Sequence, residues 1–313
     1  MIKIVNKITE DGFKRNLEEI SQNHYANLLP IINKRILKYF SMKRRKLITD
    51  NLKGILIGTP SEILIINKKL QKYFVSNIDR KIISSIFSYS SFTNSKNLYG
   101  AYQLAQMLDV RVCPYCNRNF TITVIKSKNK ITRPQFDHFF PKSKYPLLAL
   151  SFYNLIPSCS LCNSTFKGKK NFKLELYIHP YLNGFGNDVK FDYRPIEASL
   201  GKSIHSKVTI RLINDKTNEL KMKAFRNTKT FKLVELYNEH TDYVSEMIYK
   251  MEKTQGGYLK MINTAFPSLA TKDELYRIAF GNYFSDENLE NRPISKLQRD
   301  IFSKLELIYK TTF

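Results

Sequence analysis

Two Cys-x-x-Cys pairs, Cys113-Pro-Tyr-Cys116 and Cys159-Ser-Leu-Cys162, hold every cysteine in the 313 residues. No other feature constrains the fold as much. Each pair offers two thiolates from one tight turn, and four thiolates close a tetrahedral shell. Zn²⁺ suits so soft a donor set and needs no redox chemistry. A closed shell leaves no position for water, so the expected role is structural. Such sites bind with roughly 10–16 kcal/mol in small peptides, enough to fold an irregular module. Disulfides are not expected, because the opening MIKIVNKITEDGFKRN lacks the apolar core and small-residue cleavage site of a secretory signal. A cytoplasmic location follows as the expectation. No apolar run reaches the roughly 18 residues of a membrane span.

Charge supplies the second constraint. Lys plus Arg number 51 and Asp plus Glu 27, a formal net charge of +24. An excess of that size calls for a polyanionic partner or a tolerance of self-repulsion. The richness in Lys, Ile, Asn, Tyr and Phe is also what an AT-rich genome imposes on any protein. With 42% hydrophobic and 25% charged residues, the chain has the composition of a folded protein rather than a disordered one.

The pattern divides the chain into 1–109, 110–182 and 183–313. The first part reads as helical. Over 26–48, Leu29, Ile32, Ile36, Leu37 and Phe40 fall on one stripe, with the basic run MKRRK (42–46) at its end. That run is either a phosphate contact or a solvated helix end, where cations favour the dipole. Thr59-Pro60-Ser61-Glu62 has the form of a capping box with Pro at the first helical position. Residues 97–108 give a further amphipathic segment. In the last part, 189–195, 207–213 and 219–225 alternate at period two and read as strands, with DKTN as a hairpin loop before the third. Helical spacing returns over 231–248, and Thr271-Lys-Asp-Glu274 is a second capping box. The fold class expected is α+β, dominated by helix, with a small irregular centre and a small antiparallel sheet.

The cysteine pairs bracket a segment containing Asp137-His138, then Asn154 sixteen residues later, then Asn163 directly behind the last cysteine. The order Asp-His, Asn, Cys-x-x-Cys-Asn resembles the HNH endonucleases, whose core is the ββα-metal motif. The resemblance covers about 113–170. The longer string DHFFPKSKYPLLALSFYNLIPSCSLCN resembles a bacterial subgroup that includes the nuclease subunits of Septu-type anti-phage systems, which are partnered with ATPases.

The resemblance implies a role for each residue. His138 is the general base, with an ordinary pKa of about 6.5 that suits proton abstraction near neutral pH. Asp137 and Asn163 ligate one catalytic Mg²⁺ or Mn²⁺ through oxygen. Asp137 adjoins His138 on a strand, so regular alternation points the two side chains apart. The resemblance therefore implies a local irregularity. Asn154 orients the loop that carries His138. Asn163 stands where many relatives have histidine. Lys167 comes four residues after it, where many have lysine after three, and so still shares roughly one helix face. Lys142 and Lys167 are candidate phosphate contacts. His179, before Pro180 and Tyr181, is either an accessory substrate contact or a turn residue packed on Tyr181. His24 and His205 show no partner, and His240 reads as a packing residue of the 231–248 helix.

The expectation is a zinc-stapled HNH nuclease core between helical regions. Its substrate would be DNA, cut with low sequence specificity because no recognition helix is identifiable. An ATPase is the expected partner, with no membrane. The rivals are a catalytically silent nucleic-acid-binding module and a restriction-type nuclease with a defined target sequence.

Overall fold

The computed structural model describes residues 1–8, 12–95, 99–127, 129–195, 206–212, 218–267 and 271–310. It is a mixed α+β protein, 56% helical, and the sheets among the described residues are two-stranded and antiparallel. The chain divides into two compact units, 4–110 with 121–181 and 1–3 with 111–120 and 182–313.

The first unit opens with a short hairpin, Lys7–Ile8 (β1) and Lys14–Arg15 (β2), followed by helices Leu17–Tyr39 (α1), Met42–Thr49 (α2), Leu52–Ile57 (α3), Pro60–Leu70 (α4), Asn77–Ile86 (α5), Tyr89–Thr93 (α6) and Ala101–Leu108 (α7). Helix α1 buries Ile20, His24, Leu28, Ile32 and Ile36 at i, i+4 spacing. The stripe expected over 26–48 is corrected in two ways. Leu37 is exposed and Leu29 half-buried, while the extended residue Phe40 ends the helix. MKRRK therefore begins a second helix instead of ending the first. Arg45 explains the break. Its Nε donates to the Phe40 carbonyl at 2.5 Å and its Nη2 to that of Leu37 at 2.9 Å, satisfying carbonyls that a helix end leaves open. Arg44 pairs with Asp79 at 2.6 Å. Thr59 forms its capping box with Glu62, and Pro60 takes the first helical position.

Strands Val124–Lys126 (β3) and Asn129–Thr132 (β4) form an exposed hairpin. Gln135–His138 (β5) then pairs antiparallel with Leu155–Ser158 (β6), Asp137 opposite Ile156 and His138 opposite Leu155. Both strands are almost wholly buried. The turn after β6, Leu161–Lys167, winds wider than an α-helix and closes with Gly168 N–H on the Asn163 carbonyl at 2.9 Å. Gly168 stops it with φ +50°, a left-handed value glycine adopts without steric penalty.

The second unit pairs Val189–Pro195 (β7) with Ser206–Leu212 (β8), as the alternation implied. The strand expected at 219–225 is instead part of helix Asn218–Thr230 (α8). Ala224, Asn227 and Phe231 are buried at i, i+3 and i+7, whereas Met222 and Phe225 are exposed. The helical period wins because Glu, Leu, Lys, Met and Ala are all strong helix formers. The DKTN loop falls mostly outside the described residues. The helix expected over 231–248 is interrupted between Leu233–Asn238 (α9) and Thr241–Lys253 (α10), with His240 at the break. Helices Tyr258–Ala265 (α11), Lys272–Phe280 (α12) and Ser295–Tyr309 (α13) follow. Thr271 caps α12 with Glu274 as its sequence implied. Helix α13 packs on β7, where Asp300 accepts the Phe191 backbone N–H at 2.9 Å.

Candidate functional site

The four cysteines come together. The Sγ atoms of Cys113, Cys116, Cys159 and Cys162 all lie within 4.8 Å of one another, and all four residues are buried. Four soft donors so close, shielded from water, are positioned to bind one metal ion, and the donor set is that of Zn²⁺.

The turn Cys113–Cys116 is tied down locally. Tyr237 Oη donates to the Cys116 carbonyl at 2.6 Å, and Tyr115 stacks on Phe231 with centroids 4.5 Å apart. Asn117 follows with φ +49°. Its Oδ1 accepts the Lys296 backbone N–H at 2.9 Å, and its Nδ2 donates to the Leu289 carbonyl at 2.9 Å. It thereby caps α13 from 179 residues away, since Ile294 at that helix's N-terminus has no side chain able to do so.

A second site lies at the end of β5. Asp137, His138, Lys142, Asn163 and Lys167 all line one cleft of about 650 Å³. The β5–β6 register is regular through all four pairs, so the irregularity the resemblance implied is absent from the ladder. His138 is the last residue of its strand, and both side chains reach the same cleft there.

His138 is almost wholly buried. Its Nε2 lies 2.9 Å from the Ala149 carbonyl. A carbonyl only accepts, so Nε2 carries the proton in this bond and Nδ1 is the basic nitrogen. The Tyr89 ring meets the imidazole edge-on at 4.5 Å. Burial, with added repulsion from Lys142 and Lys167, pushes the His138 pKa down to about 3, against the opposing effect of the Ala149 bond. The ring is thus neutral at pH 7 and able to accept a proton, but the ordinary value near 6.5 expected from the sequence is corrected downward, which makes this imidazole a weaker base than a free one.

Asn154 is buried and does not line the cleft. Its Oδ1 accepts the Phe140 N–H at 2.7 Å, and its Nδ2 donates to the carbonyls of Phe140 at 3.1 Å and Leu148 at 2.9 Å. It ties together both ends of the loop between His138 and the Ala149 carbonyl that orients it. This is a positioning geometry.

Asp137 and Lys167 are both buried, and Lys167 Nζ lies 2.7 Å from Asp137 Oδ1 and 2.5 Å from the His138 carbonyl. Asn163 is half-exposed, and its Nδ2 donates to Gln135 Oε1 at 2.8 Å. With its nitrogen so used, the carbonyl oxygen is the end left for a cation. Asp137 already holds a cationic group. An oxygen pair of carboxylate and amide suits a hard divalent ion such as Mg²⁺ or Mn²⁺, so these residues fit one.

His179 lies elsewhere. It is buried, does not line the cleft, and packs against Phe139 at 4.3 Å, with its Nδ1 accepting the Tyr181 N–H at 3.3 Å. Its environment is the packed one the sequence offered as the alternative. His24, read as lacking partners, has two. Its Nε2 reaches the Leu150 carbonyl and its Nδ1 the Tyr99 hydroxyl, each at 2.7 Å. His240 is half-buried and accepts Arg118 Nε at 2.7 Å. His205 lies outside the described residues.

Two cleft residues had no signal in the sequence. Tyr89 comes from α6, donates to the Phe136 carbonyl at 3.2 Å and carries Lys142 Nζ over its ring at 4.8 Å. Arg133 sits over the Tyr102 ring at 5.4 Å. Both belong to segments whose local pattern marks only a short helix and a hairpin edge.

Among known proteins, the chain is 33% identical over 106 residues to the Septu protein PtuB of Bacillus thuringiensis. The match covers 32% of this chain and 38% of that protein. No protein-family model matches the chain, and no solved structure matches it. Among the described residues, no helix is long and apolar enough to cross a membrane.

Proposed function

We propose that this chain is a metal-dependent endonuclease of the HNH type that hydrolyses DNA phosphodiester bonds with low sequence specificity, as part of an anti-phage defence complex with an ATPase partner. One observation carries the reading. An oriented histidine, a carboxylate and an amide share one cleft with Arg133, Lys142 and Lys169. The partial likeness to a Septu protein supports the defence context. The order β5, β6, wide helical turn is the strand–strand–helix order expected of a ββα-metal core.

In this reading, His138 Nδ1 takes the proton from the attacking water while Nε2–H stays on the Ala149 carbonyl. Asn154 holds the intervening loop, so the imidazole is aimed before substrate arrives. Asp137 and Asn163 hold a divalent cation, which when bound stabilises charge on the leaving 3′-oxygen. Lys142 meets backbone phosphate at the rim. The cysteines hold a structural Zn²⁺. Binding is dominated by phosphate contacts and weakens steeply with salt.

The test is cleavage of supercoiled plasmid at low salt by zinc-loaded wild type and His138→Ala, with Mg²⁺, Mn²⁺ or EDTA. Nicking or linearisation by wild type that EDTA abolishes, with a loss of about 10²–10⁴-fold in His138→Ala, is the expected result. Equal cleavage by both proteins removes His138 as the base. Salt-sensitive binding without cleavage, in the presence of a partner ATPase, leaves the silent binding module.

A further inference from the structure

We propose that Lys167 sets the metal affinity and selectivity of the cleft, occupying Asp137 as an internal counter-ion that a divalent cation must displace. The proposal rests on the nuclease reading above. A lysine is almost never fully buried unless paired, and here both partners are: the side chains of Lys167 and Asp137 are 2% and 3% exposed. The ammonium lies 2.7 Å from Asp137 Oδ1, 2.5 Å from the His138 carbonyl and 5.0 Å above the Phe172 ring. An anion, a carbonyl dipole and an aromatic face surround it, which is a cation site already holding a cation.

A metal ion cannot share that position. Mg²⁺ or Mn²⁺ would need a carboxylate oxygen at about 2.1 Å, and Oδ1 is taken. On the second oxygen the ion would still lie within about 6 Å of the ammonium, with weakly screened repulsion. A monovalent ion gains nothing by replacing one positive charge with another. A divalent ion gains a second charge on the same anion, so the lysine filters for valence. Displaced from Asp137, Lys167 remains a cleft residue four positions after Asn163, where a substrate phosphate needs a cation. Metal arrival and phosphate capture are then one exchange.

Mn²⁺ binding to the zinc-loaded full chain, without DNA, tests this by electron paramagnetic resonance of the free ion. Lys167→Met should bind Mn²⁺ at least about tenfold more tightly than wild type, while Lys167→Arg, which keeps the charge, should bind no more tightly. Lys167→Met should also melt below wild type without Mn²⁺, because the buried Asp137 carboxylate loses its ammonium partner, and Mn²⁺ should close that gap. If Lys167→Met folds only poorly, recovery on refolding with Mn²⁺ reads the same exchange. Unchanged or weaker Mn²⁺ binding in Lys167→Met, or a deficit that Mn²⁺ does not relieve, overturns the proposal and leaves a purely structural ion pair. Asp137→Asn separates the two levels of inference: if it binds Mn²⁺ as wild type does, the cleft is not the metal site and the nuclease reading itself fails.

Discussion

Two segments of this chain read almost alike, Cys-Pro-Tyr-Cys-Asn at 113–117 and Cys-Ser-Leu-Cys-Asn at 159–163. Their cysteines join one buried cluster, yet the asparagines that end them do unlike work. Asn117 turns into the left-handed region, is fully buried, and spends both ends of its amide on Lys296 and Leu289. Asn163 enters a helical turn, stays half-exposed, and spends only its nitrogen, on Gln135. A metal-ligand motif therefore fixes the two cysteines but not the residue after them. The backbone direction taken at that residue decides whether the amide becomes a cap or a cleft group.

The largest effect should fall where the two segments are alike. On the proposed zinc reading, Cys116→Ser and Cys162→Ser should each lose metal binding and the cooperative unfolding transition, because a structural Zn²⁺ contributes on the order of 10 kcal/mol. Metal content by mass spectrometry and a thermal melt would check both. One zinc per chain retained in either variant would break the equivalence.

The next effect should fall where they differ. Asn117→Ala removes the cap of α13 and two buried hydrogen bonds, so it should cost about 2–3 kcal/mol, read from urea unfolding. Asn163→Ala should change stability by less than about 1 kcal/mol. On the proposed reading it should lower metal-dependent cleavage on the order of 10–100-fold or more. A reversed pattern, with Asn163→Ala unfolding the protein and Asn117→Ala sparing it, would overturn the division of labour.

What was legible in the sequence follows from range. The capping boxes at Thr59 and Thr271 are four-residue patterns and needed no tertiary knowledge. The cysteine cluster was legible because two short-range pairs can satisfy one ion in few ways. His24 was not. Its partners Tyr99 and Leu150 lie 75 and 126 residues away, and no local pattern encodes them. Residues 219–225 misled because alternate apolar residues also fit a helix, and burial of Ala224, Asn227 and Phe231 settles the period only once packing is known. The cleft residues of the Asp-His and Asn positions were named by family resemblance, while Tyr89 and Arg133 belong to no motif.

A smaller effect concerns acid. Burial holds His24 at a pKa of about 4 and His179 at about 3, both with neutral rings. Unfolded histidine titrates near 6.5, so below that pH the unfolded chain binds more protons than the folded one. The stability these rings contribute is fully present above about pH 6.5 and lost as pH falls toward 4. Each contributes a slope of at most about 1.4 kcal/mol per pH unit. The fall of melting temperature with pH should steepen between pH 6.5 and 4.5, less so in His24→Gln. Equal slopes in both proteins would show that other groups set the acid limit.

The smallest effect lies at the cleft rim, on the open side of the comparison. Lys142 lines the cleft with its ammonium over Tyr89, and among the described residues no carboxylate pairs with it that would oppose a phosphate. A cation that neutralises one phosphate releases one counter-ion, which contributes about 0.9 to the slope of log affinity against log salt. Lys142→Ala should therefore reduce that slope by about one, uniformly across duplex sequences, with stability unchanged. Fluorescence anisotropy with two unrelated duplexes at several KCl concentrations would read it. A slope that does not change places Lys142 outside the phosphate track. A change that depends on the duplex sequence would mean the cleft reads bases, which the low-specificity reading does not allow.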